Sequence, residues 1–221
     1  MSNRLVSAAF RSSQRNQCYV FNREKYVVVD YGRGTDKKTK LISGPVRIAD
    51  GFSMFANTLF ENGIDASFDN DGDDTFFFNG NQCAKVDFAP DTGDSRLLMG
   101  PIPITAMFPS LDDKTPFSKV LNAAVRSNNG KIVFLFSGAQ VGSFDYESRR
   151  LEQTRSISDA FPQFVGTVFE FGLDAAFNTH DRNEVYIFKG EYYAHYNLIT
   201  GEFIGFIRKI RTDWPALSRI I

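Results

Sequence analysis

Asp174-Ala175-Ala176-Phe177, an acidic residue followed by two alanines and a phenylalanine, is one of four similar phrases in this chain, and their recurrence is the strongest indication of its fold. The other copies are Ser7-Ala8-Ala9-Phe10, Asp65-Ala66-Ser67-Phe68 and Asn122-Ala123-Ala124-Val125. From copy to copy, the last residue moves along the 221-residue sequence by 58, 57 and 52 positions. Self-similarity at a nearly constant period predicts a repeat architecture, in which each unit packs against its neighbours.

Two further phrases follow each copy in the same order, so the repeat covers a whole structural unit. An apolar phrase comes first, as Tyr19-Val20-Phe21, Phe76-Phe77-Phe78, Phe134-Leu135-Phe136 and Tyr186-Ile187-Phe188. A closing phrase then places an aromatic residue four positions after an isoleucine, as Ile48 and Phe52, Ile104 and Phe108, Ile157 and Phe161, and Ile210 and Trp214. We predict the units at about residues 4–57, 62–114, 119–167 and 171–218.

The middle of each unit has the pattern of a β-hairpin. In the fourth unit, residues 185–188 and 192–196 are short apolar runs on either side of the turn Lys189-Gly190-Glu191. The closing isoleucine and aromatic residue share one face of a short helix, which the proline after most copies ends. About four strands and a short helix per unit predict a single all-β domain, a four-bladed β-propeller. An open solenoid is the alternative, but neither end resembles the polar capping repeat that it needs.

The fourth unit, with Asp174-Ala175-Ala176-Phe177 and the run from Val185 to Tyr193, resembles a hemopexin repeat. Over essentially its whole length the chain is most similar to the legume seed albumin-2 family, of the pea type. The phrases that carry this likeness are Ala8-Ala9-Phe10-Arg11-Ser12-Ser13, Lys25-Tyr26-Val27-Val28-Val29-Asp30-Tyr31, Asp50-Gly51-Phe52 and Asn183-Glu184-Val185-Tyr186-Ile187-Phe188-Lys189-Gly190. The resemblance implies a non-enzymatic seed albumin, monomeric or homodimeric, that doubles as a nitrogen store and binds polyamines, spermine above all, or haem.

Ser7, Asp65, Asn122 and Asp174 begin the four equivalent strands that a propeller arranges around its axis. The likeness to hemopexin propellers implies that the backbone carbonyls of these residues converge on a metal ion in the central channel, Ca²⁺ or Na⁺. Carbonyl oxygens are ligands that hard cations prefer, so a serine is tolerated in the first unit. The carboxylates of Asp65 and Asp174 would add favourable potential, and a channel that holds only water is the alternative.

The third unit departs most from the pattern of the others. Val125 replaces the phenylalanine, and Ala139-Gln140-Val141 stands where the fourth unit has Glu191-Tyr192-Tyr193. We therefore expect blade three to be the least regular, and any ligand site that depends on its hairpin to differ in this chain.

Other residues give weaker indications of chemistry. His180 and His195 could ligate a haem iron, but they stand at unequal positions in the fourth unit, so we expect both to be structural. The run Asp69-Asn70-Asp71-Gly72-Asp73-Asp74 lacks the glycine and glutamate positions of a Ca²⁺-binding EF-hand loop and predicts an acidic turn. No catalytic motif occurs. A ligand-binding module, a pure storage protein and a protein-interaction propeller therefore remain open.

Composition narrows the partners further. The net charge of −1 and the pI of about 6.1 lack the strongly basic character of nucleic-acid-binding domains. Cys18 and Cys83 stand at unequal positions in their units, which predicts free thiols in a reducing compartment. Neither a signal peptide pattern nor an apolar run long enough to span a membrane occurs. We expect a protein of the seed-cell cytosol with no membrane or nucleic-acid partner.

Overall fold

The computed structural model describes residues 4–32, 38–70, 72–90, 93–127, 129–181 and 183–221, and these form four antiparallel sheets. Blade one contains β1 (Ala8–Arg11), β2 (Gln17–Asn22), β3 (Lys25–Asp30) and β4 (Lys40–Arg47). Blade two contains β5 (Ala66–Asp69), β6 (Asp74–Asn79), β7 (Gln82–Asp87) and β8 (Arg96–Pro103). Blade three contains β9 (Ala123–Arg126), β10 (Ile132–Ser137), β11 (Gln140–Asp145) and β12 (Arg150–Ser156). Blade four contains β13 (Ala175–Asn178), β14 (Glu184–Lys189), β15 (Tyr192–Asn197), β16 (Glu202–Phe203) and β17 (Arg208–Lys209).

The four blades close into a ring around an axis, which confirms the four-bladed β-propeller. The first strands β1, β5, β9 and β13 are buried at every residue, and each packs on the inner strands of the two adjacent blades. Small side chains permit this close approach: Ala8 and Ala9 of β1 are each only 1% exposed. The alanines of the repeated phrase therefore line the crowded centre of the ring.

Each blade ends in a one-turn helix, as the closing phrase predicts. These helices are α1 (Ile48–Gly51), α2 (Ile104–Met107), α3 (Ile157–Ala160) and α4 (Ile210–Asp213). The N–H of the aromatic residue that follows donates to the carbonyl of the first isoleucine at 2.7–2.8 Å in all four. The isoleucine and the aromatic ring are both buried, so the pair anchors the end of each blade to the core.

The hydrophobic core consists of four clusters, and each cluster lies between two adjacent blades. Blades one and two share a cluster around Phe10 and Phe77, whose rings meet edge to face at 5.5 Å. Blades four and one share a cluster that contains Val29 of β3 and Trp214 after α4, so the seam between the two ends of the ring is packed like the other three. No helix in the described part of the chain is long and apolar enough to cross a membrane.

The expectation that blade three is the least regular is wrong for its hairpin. Ser137 pairs with Gln140 across the turn, as Lys189 pairs with Tyr192 in blade four. The changes of sequence in the third unit alter side chains on the hairpin and leave its register intact. Blade four is the one with an interrupted outer edge, because β16 and β17 are two short strands that both pair with β15.

Candidate functional site

The mouth of the central channel is formed by the four residues that precede the inner strands. The backbone N–H of each one donates, at 2.8 Å, to a carbonyl of the second strand in the same blade. Because this bond fixes the same backbone position four times, the four carbonyl oxygens reach one common point on the axis. These residues are Ser7, Asp65, Asn122 and Asp174, the set predicted from the sequence.

The atom at that common point is Nη2 of Arg4, which sequence reasoning did not identify. Nη2 lies 2.6 Å from the carbonyl oxygen of Asp65, 3.1 Å from that of Asn122 and 2.5 Å from that of Asp174. It also donates to the carbonyl of Ser7. The oxygen ligands suit Ca²⁺ or Na⁺ in kind, but the position that such an ion would take is held by a guanidinium nitrogen. The only sequence signal was a cationic residue three positions before the first copy of the repeated phrase.

The carboxylate and amide side chains of this set clamp the hairpin turns of their own blades. Oδ2 of Asp65 accepts from the N–H of Gly80 at 2.8 Å, and Oδ2 of Asp174 accepts from that of Gly190 at 2.7 Å. In blade three, Oδ1 of Asn122 accepts from the N–H of Gly138 at 2.8 Å. Their acidic or amide character therefore has a structural reason that does not involve an ion.

Two cations balance the two carboxylates at the mouth. Nη1 of Arg4 lies 3.6 Å from Oδ1 of Asp65, and Nζ of Lys189 lies 2.9 Å from Oδ1 of Asp174. Burial lowers the pKa of Arg4, while the charges of Asp65 and Asp174 oppose this change. Arginine retains its proton at any physiological pH, so the ring surrounds a permanent positive charge.

At the opposite end of the channel, residues at the last positions of the inner strands link neighbouring blades. Nη2 of Arg11 lies 2.5 Å from Oδ1 of Asp69, linking blades one and two. Asn178 bridges blades three and four, since its Oδ1 accepts from the N–H of Arg126 and its Nδ2 donates to the carbonyl of Arg126, both at 2.8 Å. These contacts join the blades in pairs at this end of the ring.

Both histidines have structural surroundings, as expected. Nδ1 of His180 accepts from the N–H of Asn16 at 3.2 Å and lies 2.5 Å from the hydroxyl of Tyr31. Nε2 of His195 lies 2.8 Å from Oε2 of Glu184, and its ring stacks on Tyr186 at 4.5 Å. Burial is the main reason that the pKa of each histidine is lowered. Both imidazoles therefore have structural partners within the protein.

A cleft with an aromatic lining lies between blades four and one. The cleft is small, with a cavity volume of about 40 Å³, and is lined by Tyr186, Tyr193 and Trp214 together with Arg208 and Asp213. The rings of Tyr186 and Trp214 meet at 5.4 Å and 87°. Asp213 accepts a hydrogen bond of 3.0 Å from the hydroxyl of Tyr193 and lies 3.7 Å from Nη1 of Arg208.

The other features singled out in the sequence have no ligand-binding geometry. In the acidic run 69–74, Asp69 is buried beside Arg11 and Asp74 lies 2.7 Å from Nζ of Lys85, while Asp71 lies outside the described residues. Among the residues described, no group of three or more histidine, cysteine, aspartate or glutamate side chains could hold a metal. Cys18 and Cys83 are free, as predicted. Both are also buried, and burial raises the pKa of Cys83 to about 12.

Comparison with known proteins identifies a family. The chain is 42% identical to Albumin-2 of Pisum sativum over 223 residues, which is 98% of this chain and 96% of that protein. No model in a collection of protein families matches the sequence. The identity and the coverage show common descent over nearly the whole length of both proteins.

Solved structures of plant proteins share the fold. A plant albumin from Cicer arietinum described as showing hemagglutination superposes with a TM-score of 0.92 at 41% identity, with 98% of each chain covered. A plant lectin with two metal binding sites, also from Cicer arietinum, gives a TM-score of 0.92 at 43% identity and the same coverage. The structural comparison therefore supports the same relationship as the sequence comparison.

Proposed function

Because the chain belongs to the albumin-2 family of seed albumins, we propose that it is a non-enzymatic seed albumin that binds a small polycation such as spermine. The observation that carries this proposal is the cleft between blades four and one, where three aromatic side chains lie beside the carboxylate of Asp213. Ammonium groups bind to aromatic faces and to carboxylates, and a polyamine offers several such groups on a slender chain.

The geometry of the cleft favours an extended amine over a haem. The opening is narrow: the rings of Tyr193 and Trp214 meet at 5.8 Å and 78°, and these residues are only 9% and 2% exposed. A haem needs an axial ligand. His180 is held at Nδ1 by Asn16 and Tyr31, while His195 lies against Tyr186 and beside Glu184. Haem is therefore the weaker alternative.

We also propose that the axial ring of the Ser7, Asp65, Asn122 and Asp174 carbonyls is a position for one cation, separate from the polyamine site. Four oxygens directed at one point create a region of negative potential that favours positive charge. The support for this is the positive charge of Arg4, whose guanidinium reaches into the ring. Ca²⁺ and Na⁺ have the same preference for oxygen ligands.

Isothermal titration calorimetry with spermine, at low and at moderate salt, tests the polyamine site. We expect one saturable site that survives moderate salt, and Asp213→Asn should weaken it at least about tenfold, since about 1.4 kcal/mol of charge interaction is lost. Asp159→Asn, which removes a carboxylate from the equivalent helix of blade three, is the matched control and should bind as the wild type does. Heat that disappears with salt, or equal effects of the two variants, would leave a storage albumin without a formed polyamine site.

A second candidate function is carbohydrate binding. It is favoured by the two Cicer arietinum relatives, one described as hemagglutinating and the other as a lectin. Agglutination of erythrocytes by the purified protein, with simple sugars as inhibitors, tests this candidate. Clumping that a sugar reverses and spermine does not would favour the lectin function over the polyamine function.

A further inference from the structure

At the channel mouth, the side chain of Arg4 fills the ring of four backbone carbonyl groups. We propose that Arg4 supplies the axial cation itself, so that a metal ion enters the ring only when the guanidinium withdraws. This inference rests on the proposed cation position in the channel and is independent of the polyamine site. In this proposal the side chain of Arg4 competes with Ca²⁺ and Na⁺ for the four carbonyl oxygens.

The charges at the mouth are already balanced without a metal. The carboxylates of Asp65 and Asp174 face the cations of Arg4 and Lys189 at 3.6 and 2.9 Å respectively. A divalent ion in the ring would coincide with Nη2 of Arg4, and an ion nearby would face its charge in a partly buried place, where repulsion is strong. Metal and arginine therefore exclude each other.

The guanidinium of Arg4 does not satisfy all the hydrogen-bonding groups around it, so a metal ion can compete with it for the ring. Nη2 carries two hydrogens, whereas four carbonyl oxygens surround it, so at most two can receive a linear hydrogen bond. Within the part of the chain that the structure describes, the buried Nε of Arg4 has no hydrogen-bond partner. A spherical ion would satisfy all four oxygens at once, as Ca²⁺ does at 2.3–2.6 Å.

The backbone next to Arg4 keeps the guanidinium close to the ring. Leu5 and Val6 are 4% and 1% exposed and belong to the cluster between blades four and one, and the N–H of Ser7 bonds to Phe21. A group tethered over so few residues has an effective concentration of about millimolar or more. A metal must displace it, so the apparent affinity of the ring for metal is reduced.

Arg4→Met, which keeps much of the apolar length and removes the charge, tests the proposal by Ca²⁺ titration and by thermal unfolding with CaCl₂ or EDTA. We expect the melting temperature of the wild type to be the same in both solutions. The variant should melt lower in EDTA, recover in CaCl₂ and bind one Ca²⁺ per chain at least about tenfold more tightly than the wild type. Lys119→Met is the matched control, because Lys119 is exposed and stands three residues before Asn122, as Arg4 stands before Ser7.

Two results would overturn the proposal. One is a wild type that binds one Ca²⁺ per chain as tightly as Arg4→Met, which would show that the guanidinium does not hold the ring. The other is a folded Arg4→Met that binds neither Ca²⁺ nor Na⁺. If Arg4→Met folds in no buffer, the wild-type Ca²⁺ titration decides: the absence of binding supports the proposal and one bound ion refutes it. Spermine binding by the wild type is measured separately, so the absence of a polyamine site would not be mistaken for either of these results.

Discussion

Arg23 takes a left-handed backbone conformation, with φ of 52°, at the hairpin turn of blade one. The same position is Gly80, Gly138 and Gly190 in the other blades, with φ of 55°, 54° and 57°. A side chain at such a φ costs about 1–2 kcal/mol relative to glycine. Blade one also lacks the clamp that an aspartate or asparagine gives the other turns, because Ser7 is in that place. This turn is therefore the least favourable of the four.

We expect Arg23→Gly to raise the free energy of unfolding by about 0.5–1 kcal/mol, after the added flexibility of the unfolded chain is subtracted. Urea unfolding followed by circular dichroism measures the change. Gly190→Ala is the control in the opposite direction, since no atom lies within 4 Å of the added Cβ and only the backbone conformation is penalised. A lower stability of Arg23→Gly would mean that the arginine side chain contributes more than its backbone costs.

Because of His180, we expect the free energy of unfolding to decrease as the pH is lowered below about 6.5. Nδ1 accepts the N–H of Asn16, so the proton of the neutral ring is on Nε2, 3.1 Å from the carbonyl of Ser12. Burial, and then the charge of Arg11, lower the pKa of His180 in the folded state. The unfolded chain therefore binds the proton first, and the stabilisation present above pH 6.5 is lost on acidification, at no more than about 1.4 kcal/mol per pH unit.

His180→Asn places an amide oxygen near the position of Nδ1 and removes the titration. Urea unfolding between pH 7 and pH 5 should give a smaller slope of stability against pH than in the wild type. The slope should not vanish, because burial also lowers the pKa of His195. An unchanged slope would mean that the protonated ring is accommodated between Asn16 and Ser12.

At the scale of single elements, Gly142 of β11 shows how a blade adapts to its neighbours. Gly142 pairs with Leu135, and the corresponding residues of β7 and β15 are Ala84, opposite Phe77, and Ala194, opposite Ile187. In blade three the ring of Phe117 lies where the methyl group would be, at 2.8 Å from an added Cβ. The lost methyl group is thus replaced by an aromatic side chain from the 3₁₀ turn 116–118.

We expect Gly142→Ala to lower the free energy of unfolding by about 1–3 kcal/mol, although alanine is the residue of two other blades, because the added methyl group overpacks Phe117 and Leu151. Chemical denaturation measures the loss. Combining it with Phe117→Leu, which frees space, should recover part of that loss in a double-mutant cycle. Simple additivity of the two changes would contradict the contact.

Across the whole molecule, the features that could be predicted from the sequence are those whose interacting residues lie close together along the chain. The pair of Ile210 and Trp214 lies four residues apart in one helical turn, and the hairpin around Gly190 needs only adjacent strands, so both are visible in the sequence. The guanidinium of Arg4 contacts carbonyl oxygens of all four blades, and the most distant in sequence is that of Asp174. These contacts form only when the ring of blades has closed. The four atoms that Nη2 contacts are backbone oxygens, which every residue type carries, so the types of these four residues did not indicate an arginine partner.

Closure of the ring also gives the last prediction. Leu217 is fully buried in the cluster that joins blade four to blade one, and the nearby N–H of Ala216 donates to Oγ1 of Thr39 at 3.4 Å. We expect Leu217→Ala to lower the free energy of unfolding by about 2–5 kcal/mol through the cavity that it leaves. Leu59→Ala, at a leucine that is 54% exposed, is the control and should change it by about 0.5 kcal/mol or less.

The shape of the transition distinguishes a closed ring from a row of independent blades. Trp214 is the only tryptophan and lies in the same seam as Leu217, so its fluorescence reports on the junction of blades four and one, whereas far-ultraviolet circular dichroism reports on all strands. In a ring, opening one seam removes a neighbour from two blades, so the two signals of Leu217→Ala should shift together to lower urea. Fluorescence that changes at lower urea than circular dichroism would show that the seam opens while the blades persist, as nearest-neighbour coupling in an open repeat array permits.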